Sequence, residues 1–161
     1  MLIGSSRARL RISKVIRLAT PADVRGIAPL VARYWEFEGI AGFQLPRIEA
    51  LLDELLATPD RGAIWVAETA AGLSGYLLAV FMFSLEHGGL MAEIDELFVL
   101  PEMRSARAGA LLLAAAERDM AARGLRRLQL QLGIENHRGR TFYSRHGFLA
   151  RCGYELLDKS L

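Results

Sequence analysis

The sequence predicts a mixed α/β fold, with one sheet that is antiparallel over most of its width and helices packed on its faces. Three observations carry this expectation. Two early segments repeat apolar residues at helical spacing, three strand-like apolar runs separated by short glycine turns follow, and the last third alternates strand and helix patterns. The order is therefore one strand, two helices and three antiparallel strands, ending in a β-α-β-α-β run.

Val15 to Leu18 reads as a short apolar strand. Thr20 can cap the helix after it, Pro21 and Asp23 fill that helix's first turn, and Ile27, Leu30, Val31 and Tyr34 recur on one face. Trp35 to Gln44 reads as a loop. A second amphipathic helix spans about Pro46 to Ala57, with Ile48, Leu51, Leu52, Leu55 and Leu56 as its stripe, and Thr58-Pro59-Asp60 stops it. Strands are expected over Ala63 to Glu68, Gly75 to Leu85 and Met91 to Leu100. The turns between them, Ala71-Gly72 and His87-Gly88-Gly89, suit an antiparallel meander. After Pro101, an Ala/Leu-rich helix runs from about Arg107 to Arg123 and ends at Gly124. Leu128 to Leu132 alternates Leu with Gln as a strand does. Asn136 to His146 reads as a short helix closed by Gly147, and Gly153 to Leu157 as a final strand.

A chain of 161 residues suits one domain, expected over residues 15–161, and its 52% hydrophobic and 24% charged residues exclude the polar signature of disorder. Residues 1–14 read as a basic, flexible arm. Arg7, Arg9, Arg11, Lys14 and Arg17 occur there or just after without an acid among them, and setting those five aside leaves 15 basic against 18 acidic residues, a net of −3. Despite a pI of about 9.0, a mildly acidic body is a poor footprint for a nucleic-acid binder. Cys152 is the only cysteine, so neither a disulfide framework nor a cysteine metal site can form, and the residue reads as a small core position. The three scattered histidines form no metal-ligand spacing either. With no signal-peptide h-region and no apolar run near about 18 residues, the expectation is a cytoplasmic protein without a membrane span.

Two stretches carry chemistry. The first, IDELFVLPEMRSARAGALLL, passes from a strand end through a proline turn and a small basic loop into a strong helix. Such a helix start offers backbone N–H groups and a positive dipole end, which makes Arg104 to Ala110 an anion site suited to a diphosphate. Gly109 allows close backbone approach, and Ser105, Ala106 and Ala108 keep the loop low. The plainer alternative is a strand-to-helix turn with solvated arginines. In the second stretch, LQLQLGIENHRGRTFYSRHGF, Asn136 can cap the next helix and Tyr143, seven residues on, shares its face. Its alternative is a capped helix whose Phe142 and Tyr143 anchor the core.

Together the two stretches resemble the GNAT superfamily of acetyl-CoA-dependent N-acetyltransferases. Arg104-Ser105-Ala106-Arg107-Ala108-Gly109 aligns with the family's phosphate-loop pattern [Q/R]-x-x-G-x-[G/A], and Asn136, Tyr143, Gly147 and Phe148 meet its later N-x(6)-Y-x(3)-G-F pattern. Arg107 departs from the pattern by standing where the first glycine sits, and its Cβ restricts the loop backbone.

The resemblance implies a sheet splayed between its fourth and fifth strands, acetyl-CoA as co-substrate and no metal. It implies cofactor contacts from Leu97, Phe98, Val99, from Arg104 through Ser105, Ala106, Arg107, Ala108 and Gly109 to Ala110, and from Asn136 and Tyr143. A backbone N–H near Phe98 or Val99 would polarise the acetyl carbonyl. Tyr143 matches the family's general acid. Glu93 matches a catalytic glutamate of some members, with Asp95 and Glu96 as other candidates for the base; period two puts Glu93 and Asp95 on one face and Glu96 opposite unless a bulge intervenes. Trp35, Glu36, Glu38 and Asp95, with Phe37 among them, suit a cationic acceptor. The implied activity is direct acetyl transfer to a small primary amine; the alternatives are a protein lysine or N-terminal acetyltransferase and a non-catalytic acyl-CoA sensor. A homodimer is compatible with this reading, and neither nucleic acid nor membrane is expected as a partner.

Overall fold

A computed structural model describes residues 14–153 and 155–160. All but the last residue of the expected basic arm, residues 1–13, lies outside the described residues. Contacts divide the chain into two compact units, one ending at Leu128 and one beginning at Gln129.

The first unit is built on β1 (Val15–Leu18), β2 (Gly62–Thr69), β3 (Gly72–Ser84) and β4 (Gly89–Val99), each antiparallel to the one before it. Along the other edge of β4, the Arg126 N–H donates to the Leu90 carbonyl at 3.1 Å and the Ala92 N–H to the Arg127 carbonyl at 2.9 Å. That segment leads into β5 (Leu128–Leu130), whose parallel direction makes the sheet mixed. The fold class read from the sequence holds.

Helices α1 (Val24–Glu38) and α2 (Leu45–Ala57) cover one face, and α3 (Ala108–Ala122) covers the other. Strand alternation separates the two cores: Ile64, Val66, Tyr76, Leu78 and Phe98 pack with Ile27, Val31, Ile48 and Leu52, whereas Trp65 and Leu77 point the opposite way. The Trp65 indole N–H donates to Asp119 of α3 at 2.8 Å, which satisfies its polar atom inside a fully buried residue. Ahead of α1, one 3₁₀ turn (Pro21–Asp23) follows Thr20, and Asp23 Oδ2 accepts the Thr20 N–H at 2.8 Å and its hydroxyl at 2.9 Å. Arg17 clamps the same carboxylate with two bonds of 2.8 Å.

Trp35 to Glu38, expected in a loop, continue α1. The half-buried Trp35 ring still packs edge-on against Phe43 at 6.0 Å, and the helix stops only where Gly39 takes a left-handed φ of 72°. No helix among the described residues is long and apolar enough to cross a membrane.

The second unit contains α4 (His137–Arg145), capped as expected by the Asn136 side chain, which accepts the Gly139 N–H at 2.8 Å. Phe142, Tyr143 and Phe148 form a ring cluster with centroids 5.1 and 5.3 Å apart. Two expectations fail here. Residues 155–157 are not strand, because Leu156 and Leu157 stay exposed and nothing rewards their alignment, and Cys152 is exposed rather than a core residue.

Candidate active site

The geometry of the site begins with one extra residue in β4. Ile94 pairs with Ala79 and Glu96 with Leu78, so Asp95 has no partner of its own and forms a β-bulge. The bulge changes which carboxylates share a face. Glu93, opposite Val80, and Glu96, opposite Leu78, both lie on the face covered by α1 and α2, where regular alternation would have paired Glu93 with Asp95.

Glu96 is held from two sides. Its Oε1 accepts the Trp35 indole N–H at 2.9 Å and its Oε2 accepts the Tyr76 hydroxyl at 2.5 Å. Burial pushes its carboxyl above the usual range, and these two donors pull against that shift. Tyr76 is driven far above an ordinary phenol, first by its own burial and then by the negative Glu96 beside it. The Asp95 carboxyl is raised as well, chiefly by lost hydration and secondly by the charge of Glu93.

Beyond the bulge, the register decides which backbone groups face outward. The Leu100 N–H donates to the Ser74 carbonyl at 2.9 Å, which makes Gly75 and Val99 a non-hydrogen-bonded pair. By alternation, the N–H and C=O of Leu97 and Val99 point away from β3, while those of Phe98 point toward it. Phe98 places its ring in the core beside Tyr34 and Tyr76, at 6.1 and 6.5 Å. Of the two amides expected near the acetyl carbonyl, that of Val99 therefore faces the outer edge, and Leu97 joins it.

The chain then passes through a 3₁₀ helix, Pro101–Ala106, into Arg107 at φ 58° and ψ 18°. Arg107 is the only non-glycine residue with positive φ among the described residues. Where the family pattern has glycine, the arginine adopts the left-handed conformation that glycine would take, at a steric cost of about 1–2 kcal/mol. The first bond of α3 runs from the Leu111 N–H to the Arg107 carbonyl at 3.0 Å, so the amides of Ala108, Gly109 and Ala110 have no acceptor within the helix. Arg104 donates its Nε–H to the outward Val99 carbonyl at 3.0 Å, and its guanidinium lies over Phe37 and Phe98 at 5.2 and 5.8 Å. Lys14 reaches the Met103 carbonyl at 3.2 Å and Arg33 pairs with Glu102 at 3.4 Å, which tie this loop to β1 and α1.

The first unit thus brings Trp35, Glu93, Asp95, Glu96, Leu97, Val99 and the 104–110 loop together around one end of β4. Glu36, Phe37 and Glu38 project into solvent from the last turn of α1. Asn136 and Tyr143 belong to the second unit, two turns apart on α4. Tyr76 escaped the sequence reading; its only signal was a hydroxyl in the apolar run Gly75 to Phe81, where a buried O–H needs a partner. No group of three or more His, Cys, Asp or Glu positioned to hold a metal occurs among the described residues.

The profile of the acetyltransferase (GNAT) family matches residues 27–148, a span that includes the bulged strand, the loop and α4. The chain belongs to this family and is an acyltransferase. Among its relatives, the uncharacterized N-acetyltransferase YhfO of Bacillus subtilis is 31% identical over 139 residues, covering 86% of this chain and 92% of that protein. The aminoalkylphosphonate N-acetyltransferase of Salmonella typhimurium is 35% identical over 74 residues, or 46% of this chain and 48% of its own length. The solved aminoglycoside N-acetyltransferase AAC(6')-Iy, in complex with CoA, shares the fold with a TM-score of 0.81 at 20% identity, covering 93% of this chain and 97% of that one.

Proposed function

We propose that the protein moves an acetyl group from acetyl-CoA to a primary amine of a small molecule, by direct transfer in a ternary complex. The observation that carries this reading is the succession along one chain segment of a bulge at Asp95, outward backbone groups at Leu97 and Val99, and the first-turn amides of α3 at Ala108 to Ala110. That donor set fits the co-substrate. An extended amide arm can add to the β4 edge as a strand would, and a diphosphate suits the α3 start, with Arg104 and Arg107 supplying charge. Acetyl-CoA would supply the activated thioester.

The chain's own groups do the rest. An outward N–H of Leu97 or Val99 would polarise the acetyl carbonyl, Glu93 would take the amine proton directly or through a water, and Tyr143 would protonate the departing sulfur. Asn136 would cap and orient the helix that carries Tyr143. Trp35, Glu36, Glu38 and Asp95 would receive a cationic acceptor. A small acceptor is favoured by the relatives, one named for aminoalkylphosphonates and a fold neighbour named for aminoglycosides. We place the protein in the cytoplasm, as a single catalytic domain over residues 15–161 that acts alone or as a homodimer. Thiol release from acetyl-CoA should be followed against aminoalkylphosphonates, aminoglycosides, polyamines and lysine peptides. The reading expects turnover with a free small amine; turnover with peptides alone would reassign the acceptor, and none at all with bound acetyl-CoA would leave a sensor.

A further inference from the structure

Glu96 joins three elements at one carboxylate: its own strand β4, Tyr76 of β3 and Trp35 of α1. The bulge makes this junction, because in regular alternation Glu96 would turn toward α3 and meet neither donor. The junction is not an economical way to stabilise a core. A carboxylate kept largely from water beside Asp95, with two neutral donors and no Lys or Arg ion pair among the described residues, is the kind of group that an apolar side chain often replaces without loss. Its geometric effect is specific. Past Trp35, the residues Glu36, Phe37 and Glu38 are exposed, and the last turn of α1 is held by Glu96 at the Trp35 N–H, by Phe43 against the Trp35 ring and by the Arg104 guanidinium over Phe37.

We propose that the Trp35–Glu96–Tyr76 bridge positions the acceptor wall, fixing the last turn of α1 against the bulged strand, and that Glu96 is a positioning residue that acts through Trp35. The inference rests on the reading of that turn as the acceptor side. The cofactor side has bonds of its own besides the Arg104–Phe37 contact. The outward edge at Leu97 and Val99 is set by pairing with β3, and Arg104 keeps its bond to Val99 and its place over Phe98 even if Phe37 shifts. Loosening the bridge should therefore weaken acceptor binding selectively, since displacement of a positioning wall by about 1 Å is enough to cost heavily.

The test is steady-state kinetics on the full chain, with 2-aminoethylphosphonate and an aminoglycoside as acceptors, for wild type, Glu96→Leu, Glu96→Gln, Trp35→Phe and the double variant Trp35→Phe/Glu96→Leu. Acceptor KM should rise about tenfold in Glu96→Leu and Trp35→Phe while the KM for acetyl-CoA moves less than about twofold. Glu96→Gln retains one acceptor oxygen and should be partly rescued. The double variant should lose less than the sum of the two single losses, because both changes break the Trp35–Glu96 bond. If Glu96→Leu fails to fold, Tyr76→Phe, which removes only the hydroxyl that donates to Glu96, carries the same test. Unchanged acceptor KM, a loss confined to kcat, or a parallel loss of both KM values with the melting temperature would each overturn the proposal. Wild-type turnover alongside those results leaves the acetyltransferase reading standing; absence of wild-type turnover with every small amine, polyamines included, overturns the small-amine reading and this inference with it.

Discussion

Arg107 shows how far a single residue can depart from a motif while keeping its geometry. A left-handed backbone is cheap for glycine and costs arginine about 1–2 kcal/mol, yet the turn from the 3₁₀ helix into α3 demands it. The motif was legible in the sequence because its spacing and small residues are local. The left-handed arginine was not, since a non-glycine residue takes that conformation only when its surroundings impose it. Tyr76 and the partners of Glu96 were hidden for a related reason: period two tells which residues alternate but cannot tell which of Asp95 and Glu96 is the inserted one. The Tyr143 hydroxyl can be removed on its own. Tyr143→Phe removes a proton donor with little change in packing, so turnover should drop about 10²–10⁴-fold while acetyl-CoA affinity and melting temperature stay near wild type. Full turnover in the folded, cofactor-saturated variant would assign the ring to packing alone.

Among the elements, helix and strand cores were legible and their ends less so. α2 and α3 fall within a residue or two of expectation because apolar stripes and glycine or proline stops mark them. α1 outran its expected end because Glu36 to Glu38 lack an apolar stripe, and only the tertiary grip on Trp35 and the left-handed Gly39 show that the helix continues. The start of α1 predicts a pH effect. The Asp23 carboxyl is held well below the usual range, foremost by the Arg17 guanidinium and also by Thr20. A lowered folded pKa stabilises the fold fully above the unfolded value of about 3.9 and loses that contribution as pH falls toward the folded value. Denaturant unfolding of wild type and Asp23→Asn should therefore differ most near neutral pH, with the gap closing below about pH 4. A gap that stays constant to pH 2 would mean that the Arg17 clamp contributes nothing through charge.

For the whole molecule, the two motifs that pointed to the family lie in different units, the phosphate loop before Leu128 and the Asn136 to Phe148 pattern after it. Their joint occurrence at the family's separation was the strongest signal, since each stretch alone also reads as ordinary structure. The failed final strand lay where the chain offered an apolar pair, Leu156 and Leu157, without a partner face to bury it. Thermal unfolding with and without acetyl-CoA tests whether the edge of β4 and the start of α3 hold this ligand. Wild type should be stabilised by about 2.7 kcal/mol at a hundred times Kd, and Gly109→Val, which crowds the first turn of α3, should unfold cooperatively but lose the shift. An unchanged melting temperature for wild type in millimolar acetyl-CoA, or an undiminished shift in Gly109→Val, would contradict binding there.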